Sequence, residues 1–194
     1  MRYLALIGFA LLLLCTQTLV SCRADKNKIV KDTVLKGNYY SVKQFFQDQW
    51  NSFEGQPYSL YKITEDAKGI DTQMVSALDL NWRSIAVQFW DTDISDSSFR
   101  SKYEVNTFQD LSMQTMTLYY EAKDEQLVTQ VLQVVVDLLN KKITSIYITA
   151  NKTRNGLHLV QKLLYKPLKT IQIQEELYLP SGVTQKSTTS YIFM

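Results

Sequence analysis

Polar and apolar positions divide the chain into three stretches. Residues 3–14 (YLALIGFALLLL) form an apolar run behind Arg2, broken by Thr16, Gln17 and Thr18. A membrane span needs roughly 20 apolar residues, so the run has the length and flanks of a secretory signal peptide instead. A polar stretch follows as far as Leu35. From residue 38 onward the apolar positions become periodic, first at helical and then at strand spacing.

Val42, Phe45, Phe46, Trp50 and Phe53 recur every three to four residues and predict an amphipathic helix. Ser41 with Gln44 reads as a capping box, and Tyr40 against Phe45 as a hydrophobic staple. Gly55 and Pro57 end the helix. Tyr58 to Thr64 and Ile70 to Ser76 then predict two short strands, joined as a hairpin by a longer loop, Glu65 to Gly69. A second helix is expected from Asp79, its stripe made of Trp82, Ile85, Ala86, Phe89 and Trp90.

From about Lys102 the period is two. Met116, Leu118 and Tyr120 alternate with Thr115, Thr117 and Tyr119. Val128, Leu132, Val134 and Val136 share one face, while Val131 and Val135 make the other face apolar, as in a strand with neighbours on both sides. Ile146, Ile148 and Ala150 line the next strand. Leu157, Leu159, Leu163 and Tyr165 follow, then Ile171, Ile173, Leu177 and Leu179, and Ser187 to Phe193 closes the chain. Connections such as Lys123 to Gln126 and Asn140 to Lys142 are short, which forces antiparallel neighbours. The expected fold class is α+β: a curved antiparallel β-meander of about six or seven strands in the C-terminal half, packed by two N-terminal amphipathic helices. A single domain is expected over residues 38–194.

Leu19-Val20-Ser21-Cys22 resembles the bacterial lipobox, in which a peptidase cuts before a cysteine that becomes acylated. Cys15 is a poor rival because Leu14 precedes it. The resemblance implies a lipoprotein signal peptide over residues 1–21, with Cys22 as the lipidation site and residues 22–37 as lipid anchor and polar tether. Plain secretion is the alternative. Acyl chains contribute roughly 0.8 kcal/mol per buried methylene, so a multiply acylated Cys22 holds its protein firmly to a bilayer. Arg23-Ala24-Asp25-Lys26 does not resemble the enteric inner-membrane retention signal, nor an acidic surface-export run. The expected location is the cell envelope, at the outer membrane facing the periplasm.

Further likeness lies in the domain. A Trp-led helix ending in Asp93-Ile94, then a Lys-Tyr start to a long meander, is similar to a family of uncharacterised lipoproteins from Gram-negative bacteria. The matching stretches are Trp82 to Val105 and Leu118 to Phe193. These are patterns of core and turn residues, so the resemblance implies architecture and location and carries no functional residue.

Composition narrows the chemistry. The 194-residue chain is 45% hydrophobic and 21% charged, enough for one real core. Loss of residues 1–21 removes only Arg2 from 21 basic residues, against 19 acidic ones, and that balance argues against nucleic acid as a partner. Of the two cysteines, Cys15 leaves with the signal segment and acylation consumes Cys22, so no disulfide or thiol chemistry is expected. His158, the single histidine, shares its strand side with Val160, Lys162, Leu164 and Lys166, a mixed surface face, and His/Cys metal sites fail by count. Asp91-Thr92-Asp93-Ile94-Ser95-Asp96 fails as a calcium loop: the places that need Gly and a bidentate Glu hold Asp96 and Lys102. These carboxylates read better as caps of the turn at Ser97 to Phe99. No cofactor, metal or catalytic residue is expected.

Two features stay open. No acidic residue occurs between Leu138 and Gln174, while Lys141, Lys142, Lys152, Arg154, Lys162, Lys166 and Lys169 all do. They read as solvated loops before they read as a basic binding face. The aromatics Phe45, Phe46, Trp50, Trp82 and Phe89 are either core or the lining of a cavity. The expected function is therefore a membrane-anchored envelope lipoprotein, a non-enzymatic binding or structural module for an envelope protein. The alternative is a periplasmic carrier of a lipid or other hydrophobic ligand.

Overall fold

The computed structural model describes residues 39–53 and 55–194. All belong to one compact unit, Asn38–Met194. The expectations for residues 1–21, for Cys22 and for the tether 22–37 lie outside the described residues. Among those described, no helix is long and apolar enough to cross a membrane.

Helix α1 spans Val42–Phe53 and buries Val42, Phe46 and Phe53. Its start is built from both local and distant parts. Ser41 Oγ accepts from Gln44 N at 3.1 Å, and the Tyr40 and Phe45 rings lie 6.2 Å apart as a staple. The other half of the expected capping box is replaced: Gln44 turns to Asp48. Asp93, fifty residues away, accepts from Lys43 N at 2.6 Å and Ser41 Oγ at 2.9 Å. Beyond the helix, Gly55 adopts φ +76°, which lets the chain reverse.

Strands β1 (Ser59–Asp66) and β2 (Gly69–Ser76) form the hairpin. Its loop is shorter than expected, just Ala67 and Lys68, because Asp66 Oδ1 accepts from Lys68 N and Gly69 takes φ +127°. A 3-10 turn, Ala77–Asp79, leads to helix α2, Trp82–Trp90. The helix begins three residues later than the hydrophobic pattern suggested, since Asn81 rather than a residue near Asp79 is its cap, accepting from Ser84 N. A second 3-10 turn, Ser97–Phe99, is capped by Asp96.

The remaining strands are β3 (Tyr103–Asp110), β4 (Thr115–Ala122), β5 (Thr129–Asp137), β6 (Ile143–Arg154), β7 (Leu157–Lys166), β8 (Thr170–Tyr178) and β9 (Thr184–Phe193). They form an antiparallel meander in sequence order. The sheet nevertheless has nine strands rather than six or seven, in the order β2-β1-β9-β8-β7-β6-β5-β4-β3. Seven lie in the C-terminal meander, and the hairpin adds two by pairing β1 with β9, Leu60 opposite Phe193. That pairing satisfies a backbone edge that β9 would otherwise leave open. The sheet does not close, so β2 and β3 remain edges. Val128 departs from its expected face: it precedes β5 and is exposed, because register shifts at Thr129/Val131 break the alternation.

Both helices lie on one face of the sheet. Phe46 of α1 stacks on Phe89 of α2 with centroids 4.3 Å apart, and Tyr165 of β7 closes against both. Trp82 and Phe53 reach Phe193 on β9. Beneath them run in-facing residues such as Val134, Ile146, Ile148 and Leu163, all fully buried, each contributing roughly 1.5–3 kcal/mol of burial energy. The opposite face carries the alternate residues and, among the described residues, no helix.

Candidate functional site

The in-facing side of a strand ordinarily stays apolar where it is covered. Two positions break this rule. Gln161 interrupts Leu159, Leu163 and Tyr165 on β7, and Glu175 interrupts Ile173 and Leu177 on β8. They are register partners, so the sheet places two polar side chains side by side on the helix-bearing face. At the end of β6 the alternation that buries Ile148 and Ala150 continues as Lys152 and Arg154. Three adjacent strands thus deliver four polar groups to one spot, next to Gln88 of α2.

The groups are joined. Arg154 donates to both oxygens of Glu175, at 2.9 and 2.5 Å, a two-pronged geometry that suits guanidinium and carboxylate. Gln161 Nε2 donates to Glu175 Oε1 at 3.0 Å and to Gln88 Oε1 at 2.9 Å. Lys152 Nζ donates to the backbone oxygen of Gln88 at 3.3 Å. That carbonyl lies in the last turn of α2, where it has no helical partner, since Thr92 N bonds to Phe89 O instead. A cation there also meets the negative end of the helix dipole.

Charge states follow from this wiring. Burial alone would raise the Glu175 pKa, but hydrogen bonds from Arg154 and Gln161 outweigh it and hold the carboxyl below its ordinary value. Burial also lowers the Lys152 pKa, which for a cation disfavours the charged form, with Asp91 and Glu175 offsetting part of the loss. Arg154 is raised by its bonds to Glu175.

These residues wall a cleft of about 440 Å³ between α2 and strands β6 to β9. Leu159 and Ile173 form apolar floor, and Ser187, Thr189 and Tyr191, alternate residues of β9, line the far side. Gln161 is 2% exposed, and its Oε1 has no hydrogen-bond partner. An acceptor left so costs about 1–3 kcal/mol.

The aromatics singled out in the sequence gather elsewhere. Phe46, Trp82 and Phe89 are buried, while Phe45 and Trp50 are half-buried. Among Phe46, Trp50, Trp82 and Tyr165 the remaining space is about 20 Å³, near the volume that holds one water. Trp82 Nε1 is spent on Ala77 O at 2.8 Å. His158 is exposed, its ring 5.2 Å from Tyr178 on the helix-free face. Asp93 and Asp96 serve as caps, of α1 and of the turn at Ser97 respectively.

The basic run is divided by the fold. Lys152 and Arg154 enter the cleft, Lys162 pairs with Glu176 on the opposite face, and Lys141, Lys142 and Lys169 sit at turns. Gln88, Gln161 and Glu175 were not singled out from the sequence. The signal that could have found them is a polar residue at an in-facing strand position, the informative exception to apolar burial.

Comparison with known proteins yields no matching family model, no matching curated protein and no matching solved structure.

Proposed function

We propose that this chain is a lipid-anchored envelope lipoprotein, held by acylated Cys22, whose domain is a non-enzymatic binding module working through the cleft beside α2. The observation that carries the module is unused hydrogen-bonding capacity. A half-buried ammonium has one long bond of 3.3 Å, and a buried amide oxygen has none. Buried polar groups are ordinarily satisfied, so a cleft lined by unsatisfied ones is suited to a polar ligand.

The carrier reading draws less support. An apolar ligand needs a site of ~300–1,000 Å³, and the space beneath the aromatic stripes is about 20 Å³. The anchor rests on the lipobox resemblance at Cys22 and on the signal-like run before it.

The test combines fractionation with native mass spectrometry. Wild type is expected in the membrane fraction with an acylated N-terminus, and Cys22→Ala in the soluble one. The purified lipoprotein is expected to carry polar rather than additional acyl adducts. A wild-type chain that keeps its first methionine, or one released with a bound lipid in place of polar adducts, overturns the reading.

A further inference from the structure

The cleft has a definite chemical character, beginning with its charge. Lys152, Arg154 and Glu175 sum to one positive charge, and Arg154 is already committed to Glu175 through both prongs. Lys152 forms no salt bridge among the described residues: Asp91, outside the cleft lining, and Glu175 act on it only at longer range, and it uses one of its three donors on Gln88. One ligand anion balances it. A phosphate monoester dianion would exceed that balance and face the Glu175 carboxylate, so a single carboxylate fits better.

The rest of the lining is uncharged and hydroxyl-rich. Ser187, Thr189 and Tyr191 project from β9 at every second residue, a spacing of about 6.6–6.8 Å. None of the three makes a side-chain hydrogen bond among the described residues. Leu159 and Ile173 offer an apolar surface beside them. Hydroxyls above an apolar floor match a pyranose, which presents hydroxyls at its rim and C–H groups on its face. The lane does not stop at β9. Register carries Thr189 to Thr64 and Asp71, and Tyr191 to Lys62 and Gln73. Asp71 and Gln73 are exposed, so a longer saccharide could leave the cleft along a polar path to the β2 edge.

We propose that the cleft binds an acidic sugar, a pyranose bearing one carboxylate, with the carboxylate on Lys152 and the ring against β9. This rests on the reading of the domain as a binding module and names its ligand class. Bound carboxylate would restore the protonated state that burial disfavours at Lys152.

The test is calorimetric titration of the mature lipoprotein in a non-glycosidic detergent. The probes are glucuronate, galacturonate and N-acetylneuraminate, the methyl ester of each, and inorganic phosphate. At least one acid is expected to bind, with its ester at least tenfold weaker. Lys152→Met should weaken binding at least tenfold, and Thr189→Trp, which fills the cleft, should abolish it. Lys162→Met, on the opposite face, should leave it unchanged. Circular dichroism of each variant separates lost binding from lost folding. The proposal is overturned if no acid binds, if ester and acid bind alike, if phosphate alone binds, or if folded Lys152→Met and Thr189→Trp bind as wild type. Failure of the acids with Cys22-dependent membrane retention intact removes the ligand class only. Retention independent of Cys22 removes the anchored-module reading itself.

Discussion

Arg154 at the end of β6 and Glu175 in β8 grip each other across the intervening strand β7, with Gln161 of β7 donating to the same carboxylate. The pair therefore locks three strands at the rim of the cleft. Because the Arg154 side chain is 47% exposed, solvent screening limits the contribution to about 1 kcal/mol.

Acid should reveal that contribution. The folded Glu175 pKa lies below its unfolded value of 4.5, so its stabilisation is complete above that value and is lost as pH falls through the depressed one. Glu175→Gln should lower stability by about 1 kcal/mol at pH 7 and converge on wild type in strong acid. Urea midpoints measured from pH 7 down to pH 2 check this; parallel curves would count against the ion pair.

Lys152→Met should have the opposite sign. Burial of the ammonium opposes its charged form, so the neutral isostere should gain up to about 1 kcal/mol at neutral pH, the lost bond to Gln88 offsetting part of it. Wild type should close the gap as pH rises through the depressed lysine value toward 10.5. A variant less stable than wild type at pH 7 would mean the helix-capping bond outweighs the cost of burial.

The tryptophans should part company. Trp82 is 7% exposed and hydrogen-bonded to Ala77, so Trp82→Ala should cost about 3–5 kcal/mol. Trp50 is half-buried at the helix surface, and Trp50→Ala should cost under about 2 kcal/mol. Guanidinium unfolding of both variants gives the comparison, and equal losses would contradict the packing described.

Asp93 should behave as part of α1 despite its distance in sequence. Asp93→Ala removes acceptors for Lys43 N, Ser41 Oγ and Ser95 N and should cost about 1–2 kcal/mol. Combined with Ser41→Ala, the loss should fall short of the sum of the single losses, because the two side chains act through one network. Strict additivity in urea melts would show that they cap independently.

Legibility differed by scale. Helical stripes, strand alternation and the short turns of the meander are local, and residues such as Phe46, Phe89, Ile148 and Leu163 declare their burial through spacing alone. The β1–β9 pairing is not local: Leu60 and Phe193 are joined only because both ends of the sheet-forming chain meet in space. Bulges in β5 likewise shift the phase of Val128 without any sign in its residue type.

The sequence by itself determined two aromatic helices and an antiparallel meander, since each follows from periodicity or from short polar connections. Tertiary structure alone decided which charges meet. Lys152 and Arg154 belong to one run of basic residues, yet only strand register separates them from Lys162 and brings Glu175 and Gln161 beside them. Side-chain chemistry is written residue by residue, whereas the distance between two side chains is set by how whole strands align.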